Sequence, residues 1–270
     1  MSAPEATMHA TPAAGATPQI VVSGLTVSYR DAHGGRPACR DVSFTASRGE
    51  FIGIVGSSGC GKTTLLNAIA GFVRPSAGSV VVNGVPVTRP SAAVTMVFQS
   101  YALFPWMTVA QNMMFGLRMK GLGAARAAPI IARYLDMTGL QGTQALYPYQ
   151  LSGGMQQRVA LARALAIDPE IVLMDEPFAA VDLQTREDLQ DELGGLTAET
   201  KQTVLLVTHF VDEAVYLSDR VLMMGGKPGQ VVGTYDVQLP RPRRREFRSS
   251  PAFLAIRDAV SNDLRVATTT

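Results

Sequence analysis

A chain of 270 residues can bury a sizeable core and has room for one large or two small domains. Its 24 Lys and Arg stand against 22 Asp and Glu, a near balance that gives no electrostatic case for nucleic acid as the main partner. Two cysteines, Cys39 and Cys60, make neither a disulfide framework nor a metal-ligand spacing, which fits a reducing compartment.

Residues 1–18 are rich in Ala, Thr and Pro, lack the charged start and long apolar centre of a secretory signal, and read as a disordered tail. Ile20–Tyr29, the alternating Asp41–Ala46 and the apolar run Phe51–Val55 predict strands, with a turn at Asp31–Pro37. Thr63–Ala70 predicts a helix. Val80–Val87 reads as a hairpin, because Asn83-Gly84 favours a type I′ turn. Ala93–Phe98 is a further strand.

From Thr108 to Ile167 the texture turns helical, with breaks near Gly121–Gly123 and at Tyr147-Pro148. Strands then return at Ile171–Met174, Thr203–Val207 and Val221–Met224, separated by helices at Leu183–Leu193 and Val211–Leu217. Gly194-Gly195 is a poor helix interior and is expected to end the first of these helices. Strands separated by helices indicate a parallel sheet with helices on its faces, here interrupted by a helical insertion. The boundaries expected are a main domain over 19–240, its helical part at about 100–168, and an extension over 241–270. No apolar run approaches the ~18 residues of a spanning helix. The chain is therefore expected to stay in the cytoplasm, and any work at a membrane needs another subunit to supply the span.

Gly56-Ser57-Ser58-Gly59-Cys60-Gly61-Lys62-Thr63 fits the phosphate-loop pattern, with a strand before it and a helix after it. Glycines let backbone N–H groups turn onto phosphate oxygens, and the helix N-terminus adds partial positive charge. Lys62 would reach the β- and γ-phosphates and the Thr63 hydroxyl would ligate Mg²⁺. Cys60 is a small loop residue at which alkylation could block the site. Ile171–Asp175 ends in two carboxylates, Asp175 and Glu176, at the strand edge where ligands of α/β sheets collect. Asp175 suits the Mg²⁺ shell, and Glu176 suits a general base acting on water.

Between these elements lies Leu151-Ser152-Gly153-Gly154-Met155-Gln156-Gln157-Arg158. In that order and spacing it resembles the signature of ATP-binding-cassette (ABC) ATPases, from about Val21 onward. The resemblance implies an α/β fold: a RecA-like phosphate-loop core, an antiparallel β subdomain and an inserted α-helical subdomain. It also implies ATP and Mg²⁺ as ligands and a head-to-tail dimer. Ser152, Gly153, Gly154 and Gln156 would then face the γ-phosphate bound to the partner copy. Gln99 corresponds to a switch glutamine near Mg²⁺ and water, and His209 to a switch histidine at the γ-phosphate. Asp182 falls in the interface loop after the catalytic glutamate. Tyr29 sits where an aromatic stacks on adenine, with core packing as the other reading, and Ser57, Ser58 and Thr64 complete the ATP-binding set. The chain departs from the family pattern at Met155, Ala179 and Val181.

Leu103–Val109 after Gln99, the Lys227-Pro228-Gly229 triplet and Leu239–Arg243 together resemble the nitrate/sulfonate/taurine/bicarbonate importer branch. That branch implies an ATP-hydrolysing subunit at the cytoplasmic face of the inner membrane. Its partners would be a second copy, transmembrane permease subunits and, indirectly, an external solute-binding protein. A soluble ABC protein of DNA repair or translation is the alternative; it usually brings a long coiled coil or two cassettes, and neither is present. Arg241, Arg243, Arg244, Arg245 and Arg248 read as a solvated segment, with a lipid-headgroup contact as the other reading. Met107, Met113, Met114 and Met119 read as core, or as an adaptable groove for a partner helix.

Overall fold

The computed structural model describes residues 17–29, 36–179 and 181–269. The expected disordered tail and the turn at Asp31–Pro37 lie mostly outside them. The chain divides into two compact units, one formed by the residues up to Ser91 together with Thr203–Thr270, the other by Ala92–Gln202.

The first unit holds two sets of strands. β1 (Ile20–Ser28) pairs antiparallel with β2 (Pro37–Ala46) and with β4 (Ala77–Val82), and β4 turns back through Asn83-Gly84 into β5 (Val85–Pro86). Asn83 and Gly84 both have positive φ, 51° and 75°, as the type I′ reading of that dipeptide requires. β3 (Phe51–Gly56) is buried at all six positions and lies between β8 (Thr203–Thr208) and β9 (Arg220–Gly225), parallel to both. A strand covered on both faces must be apolar throughout, which is why β3 and β8 read as unbroken apolar runs. β10 (Gln230–Asp236) adds an antiparallel edge to β9. Helix α1 (Lys62–Ile69) packs on β1, β2, β3 and β8, and α6 (Val211–Leu217) on β3, β8 and β9.

The C-terminal segment differs from its sequence reading. A long helix, α7 (Pro251–Thr269), packs on α6, β9 and β10. Of the arginine run before it, Arg241, Arg243 and Arg248 are tied into the fold, whereas Arg244 and Arg245 are exposed as the solvated reading expects. Arg243 is 6% exposed and donates to the carbonyls of Val215 and Tyr216, the last turn of α6, at 3.2 and 2.7 Å. Those carbonyls have no intrahelical partner, so a buried guanidinium is a fitting cap. Burial pulls Arg243 down to about 10. Arg241 pairs with Asp219 at 2.7 Å and donates to the Gly49 carbonyl, and Arg248 lies 3.6 Å over the Tyr216 ring.

In the second unit β6 (Val94–Val97) and β7 (Ile171–Asp175) pair in parallel. Helices α2 (Val109–Met119), α3 (Ala124–Met137), α4 (Gly153–Ala166) and α5 (Leu183–Thr200) complete it, with α4 packed on α2, α3 and α5. Thr108 opens α2 with a capping box closed by Gln111. Gly194-Gly195 does not end α5: the helix runs on to Thr200, and Lys201 closes it in the left-handed conformation. Two helical glycines cost about 2 kcal/mol relative to alanine. Burial of Leu196 and Thr197 beyond them, and the 2.8 Å bond from Thr197 Oγ1 to the Leu193 carbonyl, offset that cost.

Candidate nucleotide site and signature cleft

β3 delivers Gly56 into the loop that ends at α1. A Cβ at Gly56 would stand 2.4 Å from the Met224 carbonyl oxygen, and Gly61, at φ 89°, would place one 2.5 Å from that of Ala38. Both positions therefore exclude any other residue. Lys62 is buried and threads under the loop, its ammonium donating to the carbonyls of Gly56 at 2.8 Å and Ser57 at 3.0 Å. Ser58, Gly59 and Thr63 are exposed, while Thr64 is buried. Cys60 is buried, and burial raises its thiol pKa against the opposing effect of Lys62. Burial and the raised pKa both lower its reactivity toward alkylating reagents.

Tyr29 is 48% exposed, so it is not a core residue. Its hydroxyl lies 3.4 Å from Thr64 Oγ1, a long contact that places the residue near the start of α1. His209 follows β8 in an exposed position, its ring 3.9 Å from that of Phe210.

The remaining candidates lie in the second unit. Asp175 is buried at the end of β7. Glu176 follows with φ 47°, directly before Pro177. A left-handed backbone at a non-glycine costs about 1–2 kcal/mol, and strain of this kind concentrates where a side chain must be aimed for function. Ser152 caps α4 by accepting from the Met155 N–H at 3.3 Å. Asp182 caps α5, accepting from the Thr185 N–H at 3.0 Å and from its hydroxyl at 2.7 Å. Those bonds hold the Asp182 carboxyl below its usual range. The two helix starts meet at a cleft of about 460 Å³ lined by Ser152, Gly153, Gly154, Arg158, Asp182 and Thr185. Four of the predicted residues are thereby brought together. Gln156 is not among them: its carboxamide braces the preceding turn through the carbonyls of Pro148 and Leu151.

Two residues outside the motifs shape the loop after Gln99. Tyr101 and Ala102 have φ of 59° and 47°, and Arg163 of α4 donates to both their carbonyls, at 3.0 and 2.8 Å. Asn112, fully buried on α2, accepts from the Phe104 N–H and donates to the carbonyls of Phe104, Met107 and Thr108. The loop so held presents Trp106, 69% exposed, beside Phe104, whose ring also meets that of Phe115. Of the four methionines, Met113 is core and Met119 is exposed. Among the described residues no helix is long and apolar enough to cross a membrane, and no cluster of three His, Cys, Asp or Glu could hold a metal.

A glycine-built phosphate loop on a parallel sheet, with a carboxylate pair at the end of a buried strand, defines a phosphate-loop nucleotide-binding protein. The pattern of the ABC transporter family matches residues 39–179, and the chain belongs to that family. It is 47% identical to an uncharacterized ABC transporter ATP-binding protein of Methanocaldococcus jannaschii, over 92% of this chain and 91% of that protein. It is 44% identical to the taurine import ATP-binding protein TauB of Pelagibacter ubique, over 83% of this chain and 86% of that one. Among solved structures it resembles a dimeric post-hydrolysis state of the ATP-binding cassette MJ0796 bound to ADP and Pi. The TM-score is 0.74 at 30% identity, covering 82% of this chain and all of that one. The fold is that of an ABC ATPase.

Proposed function

We propose that this chain is the ATP-hydrolysing motor subunit of an ABC importer that takes up a small anion such as taurine, another sulfonate or nitrate. The observation that carries the motor assignment is the cleft at the start of α4. One chain holds both a phosphate loop and a separate helix N-terminus offering Ser152, Gly153 and Gly154. A helix N-terminus is a ready anion site. In a head-to-tail dimer each signature would face the γ-phosphate held by the other copy, so hydrolysis and dimer closure are linked.

The phosphate loop, with Lys62 and Tyr29, would hold the nucleotide. Glu176 would orient and deprotonate the attacking water. Gln99 and His209 would sense the γ-phosphate, and Asp182 would link the two protomers. Mg²⁺ would suit these donors, since the Thr63 hydroxyl, the Asp175 carboxylate and the Gln99 amide oxygen are each of the kind a hard cation takes. When bound, it neutralises phosphate charge as it builds. The permease would supply the membrane span, with this subunit peripheral on the cytoplasmic face and an external binding protein delivering cargo.

The cargo rests on sequence similarity to taurine importers, and Trp106 supports the coupling. An exposed aromatic on a braced loop is a suitable anchor for a permease helix. Co-expression with the permease and reconstitution into vesicles tests both. ATP-dependent uptake of taurine, a related sulfonate or nitrate is expected; uptake confined to a sugar, peptide or metal would overturn the cargo. Trp106→Ala should weaken permease binding and uptake while leaving the ATP affinity of the free subunit unchanged.

A further inference from the structure

The turn between β9 and β10, Gly226 to Gly229, is fixed against the phosphate loop. Gly229 donates to the Ala38 carbonyl at 3.1 Å, and its own carbonyl accepts from the Arg40 N–H at 2.9 Å. A Cβ on Gly229 would stand 1.7 Å from the Cys60 carbonyl oxygen, so backbone lies directly on backbone there. This anchoring sets the place of Lys227, two residues earlier. Its ammonium lies 3.9 Å, and its Cε 3.8 Å, from where a Cβ on Gly59 would be. Gly59 is an exposed residue of the phosphate loop, with φ 78°.

Lys227 is exposed, and no hydrogen bond or ion pair engages it among the described residues. Lys62 differs: its ammonium is buried and already donates to two loop carbonyls. A lysine ammonium is a mobile point charge with three donors on a flexible stem. Held beside a loop built to receive phosphates, one that no described residue engages has an obvious counter-charge.

We propose that Lys227 is a second cation of the nucleotide site, reaching past Gly59 to the polyphosphate of the bound nucleotide. The proposal rests on the reading of residues 56–63 as a nucleotide site. Because Lys227 is exposed, its attraction is screened by salt over a Debye length of about 8 Å at physiological ionic strength. Its contribution should therefore be modest and sensitive to ionic strength. It should also follow charge rather than shape.

Titration calorimetry with ATP and Mg²⁺ on the full chain, at low and high salt, tests this on Lys227→Met and Lys227→Arg, with Lys62→Ala as reference. Melting temperatures confirm that each variant is folded. Lys227→Met should weaken ATP binding about fivefold at low salt, the scale of an exposed charge pair. The difference should shrink at high salt, and Lys227→Arg should restore affinity to within about twofold of the parent. An affinity for Lys227→Met equal to the parent's at low salt overturns the proposal. So does a loss that ignores salt or that Lys227→Arg shares, because either makes Lys227 a packing element of the turn. Failure of the parent chain to bind ATP, with Lys62→Ala no different, would instead sink the nucleotide reading itself.

Discussion

Asn112 belongs to no nucleotide motif, yet its buried carboxamide serves four backbone groups of the loop that carries Trp106. Asn112→Ala would leave several of those groups unpaired, at about 1–3 kcal/mol each when buried. A loss of about 2–4 kcal/mol in urea unfolding is expected, with weakened permease binding even though Trp106 is intact. Tyr29 makes a different kind of contribution. Base–aromatic stacking is worth about 1–3 kcal/mol in single-strand recognition. Tyr29→Ala should therefore raise the ATP dissociation constant roughly tenfold by calorimetry, whereas Tyr29→Phe, which keeps the ring, should change it little. At Glu176, replacement by Gln removes the proposed base and keeps the shape. Hydrolysis should fall by ~10²–10⁴ with ATP binding retained, and near-normal turnover would remove Glu176 from that role.

Among the elements, those with one dominant local signal are legible in the sequence alone. The apolar runs of β3, β7 and β8, the Asn-Gly hairpin at β4–β5 and the phosphate loop before α1 all lie where their residues predict. What escaped depends on tertiary partners. The continuation of α5 past Gly194-Gly195 depends on burial of Leu196 and Thr197. β10 and α7 carry weak local patterns and are stabilised by packing on β9 and α6. Arg241 and Arg243 look like surface charge until the carbonyls and carboxylate they meet are known. In the site, the motifs mark Ser152, Gly154 and Asp182, and an Asp directly before a predicted helix is a readable cap, but no local pattern reveals that this cap lies beside the start of α4.

A pH effect arises between the helices α4 and α5. Arg158, which lines the cleft, pairs with Glu192 at 3.1 Å. Burial nonetheless pushes the Glu192 carboxyl from 4.5 up to about 7, against the attraction of Arg158. The folded state thus holds this proton more tightly than the unfolded chain does. Its stabilising effect is fully present below about pH 4.5 and is lost as pH rises through about 7. The melting temperature of Glu192→Gln should accordingly fall less than that of the parent across this window. Parallel profiles for the two proteins would contradict the shift.

For the whole molecule, the phosphate loop, Tyr29 and His209 belong to one unit, and Gln99, the signature, Asp175, Glu176 and Asp182 to the other. The signature of one chain is proposed to serve ATP held by a second copy. Sedimentation velocity on Glu176→Gln, with and without ATP and Mg²⁺, tests it most directly. Without hydrolysis the closed state should accumulate, so ATP should convert the 28.8 kDa chain to a species of twice that mass. Adding Ser152→Arg should abolish this conversion while each chain still binds ATP through Lys62. A Glu176→Gln protein that binds ATP yet stays monomeric, or one that dimerises equally well with Ser152→Arg, would show that the signature does not act across a dimer interface.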